Sequence, residues 1–163
     1  MEELSADSAA EALAEARTLL LEYGQYILST SAAGFCYGSL EKEAERLPFY
    51  YTEHGGGCLI ARVDGAAAGF VAWRDISSEA TPEAWELKRL WVRPEARGLS
   101  LGRALTQSVL DRAAAARRKA VYLDTVPEAL PTAHRLYLDM GFIPCPRYND
   151  NPVKEVQYFV KHL

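Results

Sequence analysis

Cysteine is scarce in this chain and poorly placed for metal or disulfide chemistry. Cys36, Cys58 and Cys145 are odd in number and have no metal-ligand spacing, which predicts reduced thiols, no metal site and a cytoplasmic chain. No Cys–His arrangement points to a cysteine nucleophile. Long hydrophobic runs are missing too: nothing approaches the roughly 20 apolar residues of a membrane span, and the acidic start lacks the basic and apolar regions of a secretory signal. Positive charge is not in excess. With 18 Lys and Arg against 22 Asp and Glu, a net charge of -4 argues against nucleic acid as the main partner. Two phosphate signatures are absent, namely G-x-x-x-x-G-K-S/T and a G-x-G-x-x-G that opens a dinucleotide fold. No repeat, linker or low-complexity tail interrupts the 163 residues, so one domain over 1–163 is expected.

What is present centres on Glu86 to Ala104, E-L-K-R-L-W-V-R-P-E-A-R-G-L-S-L-G-R-A. Glu86 to Arg93 is rich in strand-favouring side chains, and Pro94 ends that strand because proline cannot donate to a ladder. Arg97 to Gly102 is a glycine-containing turn that runs straight into an amphipathic segment. A strand, a tight turn and a helix N-terminus together make an anion site: free N–H groups point outward, the helix dipole adds positive potential, and glycine lets a phosphate approach. Arg97 and Arg103 add charge at either end. The plainer reading, a strand–turn–helix that needs glycine only for its turn, stays open on pattern alone.

The stretch resembles the acetyl-coenzyme A signature of the GNAT N-acetyltransferase family, Q/R-x-x-G-x-G/A after a strand of the type L-x-V-x-P. The strand matches at Leu90, Trp91, Val92, Arg93 and Pro94, and the loop at Arg97, Gly98, Leu99, Ser100, Leu101 and Gly102. Ser100 stands where a glycine is usual; at a helix start it is a natural N-cap whose hydroxyl is suited to a phosphate. The family's late helix-to-strand pattern resembles Ala133-x-x-Leu136-Tyr137-x-x-x-Gly141-Phe142. The likeness covers Cys58 to Leu163 and reaches the N-terminal third only through length and helical character.

Read in order, Met1 to Asp7 leaves room for a short first strand or none. Ala9 to Leu28 repeats Leu13, Ala16, Leu19, Leu20, Tyr23 and Ile27 at helical spacing. Ser31 to Gly38 breaks this helix, Leu40 to Leu47 is a second helix with a solvated acidic face (Glu41, Glu43, Glu45), and Pro48 to Gly57 reads as a loop. Cys58–Val63 and Gly69–Trp73 form a hairpin across Asp64-Gly65. After the central strand come a helix from Leu101 to Ala116, a strand over Val121–Val126, a helix over Glu128–Met140 capped by Gly141, and last strands at Phe142–Pro146 and Gln157–Lys161. This order predicts an α+β (α/β mixed) fold, a mostly antiparallel mixed sheet flanked by about four helices.

Acetyl transfer from a thioester to an amine needs a neutral amine, a stabilised oxyanion, a leaving thiolate and aligned ligands. The resemblance implies an acetyl-CoA-dependent N-acetyltransferase working by direct transfer in a ternary complex, as a monomer or homodimer; a non-catalytic acyl-CoA-binding module of the same fold is the alternative. It further implies Tyr137 as the acid that protonates the thiolate, a backbone N–H near Leu90 to Val92 for the oxyanion, and Glu86 as general base. A Glu86 merely paired with Lys88 or Arg89 is the competing reading, and Glu53 and His54 are rivals for the base. Strand alternation places Glu86, Lys88, Leu90 and Val92 on one face, with Leu87, Arg89 and Trp91 on the other. Leu90 to Val92 and Arg97 to Arg103 are the expected coenzyme residues. The family's usual pantetheine-contacting asparagine has no counterpart at Asp124 or Thr125. Tyr50, Tyr51, His54, Tyr148, Asn149 and Asn151 lie in two loops expected to flank a small amine; Arg62, Arg74 and Arg147 nearby are candidates to hold a carboxylate on it. His134 and His162 are expected on solvated faces.

Overall fold

The computed structural model describes residues 1–30, 37–78 and 81–163. Its strands join in one seven-stranded sheet of order β1-β2-β3-β4-β5-β7-β6. β1 is Glu2–Glu3, β2 Gly57–Val63, β3 Ala66–Asp75, β4 Ala84–Val92, β5 Ala120–Thr125, β6 Ile143–Pro144 and β7 Gln157–His162. All neighbours are antiparallel except β4 and β5. The expected mixed, mostly antiparallel sheet is therefore what forms, with a first strand of only two residues. Helices α1 (Ala10–Ser29), α2 (Tyr37–Glu45), α3 (Phe49–Thr52), α4 (Leu101–Ala115) and α5 (Pro131–Asp139) flank it. α3 is the addition: the Pro48–Gly57 stretch contains a helical turn. The expected break after α1 lies mainly at positions 31–36, outside the described residues.

The helices divide between the faces. Ala16, Leu19 and Leu20 of α1 and Leu40 and Ala44 of α2 pack with Tyr51 on Ile60, Phe70, Ala72 and Trp91. Leu105, Val109 and Ala113 of α4, Tyr137 of α5 and its C-cap Met140 pack on Val71, Trp73, Leu87, Val121 and Leu123 opposite. Each leucine fully buried this way contributes about 1.5–3 kcal/mol. The β2–β3 hairpin turns on Asp64 (φ 49°) and Gly65 (φ 85°), the two left-handed residues of a type I′ turn. α5 ends in a Schellman motif: Gly141 has φ 81°, Phe142 N–H bonds the Tyr137 carbonyl at 3.0 Å, and the Tyr137 and Phe142 rings meet edge-on. That lock fixes where Tyr137 points.

β4 does not alternate as simple periodicity predicts. Ala72 pairs with Lys88 and Phe70 with Trp91, so two steps on β3 match three on β4. The extra residue is a bulge in which Arg89 takes φ 58°. Parity flips there: Leu87, Leu90 and Val92 all face the α4–α5 cluster, while Trp91 faces the α1–α2 cluster. The expected grouping of Glu86 and Lys88 with Leu90 and Val92 is thereby overturned. Arg89 is held by Glu43 of α2 through two bonds of 3.1 Å, and Glu43 also accepts from the Tyr51 hydroxyl. Glu43, expected on a solvated face, is 1% exposed.

β4 and β5 pair only through Ala84↔Ala120, Trp85↔Val121 and Glu86↔Tyr122. Beyond Glu86 they pair no further among the described residues. This opening in the sheet positions everything below.

Candidate active site

The turn expected to bind phosphate forms at the start of α4, beside this opening. Gly98 has φ 85° and Ser100 φ 59°. Ser100 holds the N-cap position, yet its side chain makes no cap bond, so the expected hydroxyl cap does not form. Its left-handed backbone explains why glycine suits the position. Among the described residues, no hydrogen bond within the protein engages the N–H groups of Gly98, Leu99, Ser100, Leu101, Gly102 or Arg103. Six free donors at a helix N-terminus are a strong anion site. Relieving the αL penalty of Ser100, about 1–2 kcal/mol less the chain entropy of glycine, gives one prediction. Ser100→Gly should raise Tm by about 1–3 °C in thermal unfolding.

A cleft of about 110 Å³ runs from that turn between Leu90, Trp91 and Val92 on one side and Leu130, Pro131 and Leu136 on the other. Arg97 lies at its edge, over the rings of Trp91 (5.3 Å) and Tyr26 (5.5 Å), and donates to the Val92 carbonyl. Leu99 and Arg103 are exposed, and Leu101 packs against the core. Trp91 is fixed from behind: its Nε1–H donates to Glu22 of α1, which also takes three bonds from Arg93. Thus all ten residues expected at the coenzyme gather around one turn and its cleft.

Across the opening lies a larger cavity of about 360 Å³. Its polar lining includes Tyr23, Arg74, Lys88, Arg89, Asp124 and Asn149, and Leu130 lines both spaces. Tyr137 of α5, 5% exposed, packs in the α4–α5 core cluster and is among the lining residues of neither cavity. Burial pushes its phenol well above the usual range, and Tyr23 and Asp124 push it the same way. It therefore keeps its proton at every working pH.

Glu86 is fully buried and surrounded by donors. Arg74 Nε gives 2.6 Å to Oε2, Lys88 Nζ lies at 3.5 Å, and Tyr148 and Asn149 each donate 2.9 Å to Oε1. Burial raises its pKa, but Lys88, Arg74 and the Tyr148 bond together outweigh that and hold it below its ordinary value. The Tyr148–Asn151 loop closes on the same place: Asn149 and Asn151 donate 2.7 and 3.2 Å to Asp124 Oδ2.

Other expected acceptor residues go elsewhere. Tyr51 is 0% exposed in the core and Tyr50 packs beside it, and neither lines either of the two cavities above. Arg147 turns outward, donating to the carbonyls of Asn149 and Asn151, so it stiffens the loop instead of facing the cavity. Arg62 is occupied by Glu2 and Glu15 at the hairpin end. Glu53 pairs with Arg46, and His54 contacts the Tyr50 carbonyl. His162 is exposed, but His134 is half-buried against Phe159. Tyr23, Lys88 and Arg89 were not anticipated as cavity residues; the only signal for the two cations was their place after Glu86 in a strand whose other side chains are apolar, and Tyr23 had none. Cys58 is buried, with burial pushing its thiol up to about 12. Among the described residues, no cluster of His, Cys, Asp and Glu is fit to hold a metal, and no helix is long and apolar enough to cross a membrane.

A β4–β5 pair that parts beyond Glu86, with a turn of free N–H groups between β4 and α4, is a specific arrangement, and the sequence profile of the acetyltransferase (GNAT) family matches residues 25–142. The chain belongs to that family. An uncharacterized N-acetyltransferase of Schizosaccharomyces pombe is 39% identical over 101 residues, which span 61% of this chain and 60% of that protein. The fold superposes on a Streptococcus agalactiae acetyltransferase with a TM-score of 0.76, at 24% identity over 99% of this chain and 98% of that one. A Sinorhizobium meliloti GNAT phosphinothricin acetyltransferase, crystallised with AcCoA, gives 0.72 at 19% identity over 100% of this chain and 89% of that one. These two structural likenesses speak to the GNAT fold alone.

Proposed function

We propose that this GNAT protein is an acetyl-CoA-dependent N-acetyltransferase that moves an acetyl group directly to a primary amine of a small molecule. The observation that carries the reading is the six free N–H groups from Gly98 to Arg103, opening onto a cleft that meets a second cavity at the β4–β5 opening. The turn would hold the pyrophosphate, and the apolar wall of Leu90, Val92 and Leu136 the pantetheine arm. Bound acetyl-CoA supplies an activated thioester. The β4 edge near Leu90, unpaired toward β5, is suited to donate an N–H to the carbonyl oxygen.

Tyr137 is proposed as the proton donor to the leaving sulfur. For Glu86 the occupied oxygens and lowered pKa favour a role in fixing Arg74, Lys88 and the Tyr148–Asn149 turn, with water taking the ammonium proton. The test of the reading is release of free thiol from acetyl-CoA with a panel of amines. Tyr137→Phe, run in parallel, should cut turnover by on the order of 10²-fold while acetyl-CoA affinity holds within about twofold. An affinity collapse would instead make Tyr137 a binding or structural residue. Tight acetyl-CoA binding with no thiol release under any amine would mark a non-catalytic module.

A further inference from the structure

The charges lining the acceptor-side cavity do not all cancel. Arg74 is satisfied by Glu86 at 2.6 Å, and Arg89 by two bonds to Glu43. Lys88 is left with a single contact of 3.5 Å, to a Glu86 already taken by Arg74, Tyr148 and Asn149. Asp124 is the mirror case. Both its bonds come from neutral amides, Asn149 and Asn151, and both fall on Oδ2; Oδ1 accepts nothing among the described residues. Lys88 and Asp124 feel each other's field, but no ion pair joins them among the described residues. Asp150, the remaining charged group of the lining, is exposed and turned to Arg147. The rest of the wall is mixed: Ile27, Val126, Leu130, Pro152, Val153 and Val156 are apolar, and Tyr23, Ser39, Thr125, Asn149 and Asn151 are polar.

From this we infer that the acceptor is a small zwitterion, its ammonium received by Asp124 and its carboxylate by Lys88. The inference rests on the transferase reading above and names the substrate class of that site. A lone charge in a half-buried cavity is costly, and a ligand that brings the complementary charge to each of two such groups relieves both at once. A polycation offers nothing to Lys88, and a plain amine leaves it unpaired. The volume, near the low end of the roughly 300–1,000 Å³ usual for small-molecule sites, suits a single amino acid. Asp124 lies on β5 just past the last β4–β5 pair, so the ammonium it holds sits at the opening where the thioester would arrive.

The experiment compares kcat/KM for L-leucine, L-leucinamide and spermidine at saturating acetyl-CoA. Wild type, Lys88→Met, Lys88→Arg and Asp124→Asn are measured, each checked by thermal unfolding. Lys88→Met should lower the leucine-to-leucinamide ratio by about tenfold, and Lys88→Arg should keep it within about threefold. Asp124→Asn should depress both substrates alike by about tenfold or more, with KM for acetyl-CoA unmoved. An unchanged ratio in Lys88→Met, or a wild-type preference for spermidine, overturns the inference and leaves the transferase reading intact. If Lys88→Met does not fold, Asp124→Asn decides alone, and undiminished activity there refutes it. Absence of thiol release with every amine removes both readings.

Discussion

Gly102→Glu is expected to fold normally and to bind acetyl-CoA at least about 100-fold more weakly, a loss of about 2.7 kcal/mol. A Cβ at residue 102 would meet only Leu136 Cδ2 at 3.3 Å and Val92 Cγ2 at 3.9 Å, both ends of side chains able to give way. A glutamate in the first turn of a helix also agrees with the helix dipole, so the fold has little reason to suffer. The ligand does. The carboxylate would enter the cleft beside the six free N–H groups, competing for them and repelling a pyrophosphate. Gly98 differs: a Cβ there meets nothing within 4 Å, and its requirement is the left-handed φ of 85°. Gly102→Ala, with bulk but no charge, should lose much less. Calorimetric titration of acetyl-CoA into each protein decides it; a glutamate variant with native affinity would reduce the turn to a structural one.

Glu86→Gln is expected to destabilise the protein by about 2–3 kcal/mol. Removing one partner of a buried ion pair costs about 3–5 kcal/mol, and the figure is lowered here because the Arg74 and Lys88 side chains retain 34% and 17% exposure. The pH dependence follows from the sign of the shift. The Glu86 pKa is lowered in the folded protein, so its stabilisation is present above the ordinary glutamate value of about 4.3 and is lost as pH falls through the lower folded value. Wild-type Tm should therefore drop more steeply than that of the variant below about pH 4.3. If Glu86 fixes the acceptor wall, the variant should raise the acceptor KM about tenfold, keep kcat within about threefold and preserve the acidic limb of the rate profile. A 10²-fold fall in kcat with loss of that limb would make Glu86 the base itself, as its strand position suggested.

Sequence by itself determined the elements and their order, because these depend on local periodicity and on glycine and proline. The Asp64-Gly65 hairpin, the helix at Leu101, the Gly141 cap and the phosphate turn all follow from neighbouring residues. So did the Arg97–Arg103 turn proposed to hold the coenzyme, which is one continuous stretch of chain, although the cleft beside it also takes Tyr26 of α1 and Leu130, Pro131 and Leu136.

Tertiary structure alone decided the cavity proposed to take the acceptor. A bulge at Arg89 has no signature in composition, since any residue can be forced to φ 58° when a buried partner such as Glu43 holds it there; once formed, it moves every later side chain of β4 to the other face. Glu43 looked like part of a charged helix surface until Arg89 and Tyr51 came across the fold to meet it. The hydrogen-bonded pairs among Asp124, Glu86 and the Tyr148–Asn151 loop are separated by 25 to 63 residues in the chain, and it takes both the β4–β5 and the β5–β7 pairing to bring them within reach. Which charge stays unpaired in a cavity is a property of all the groups around it, and a linear pattern carries no term for that.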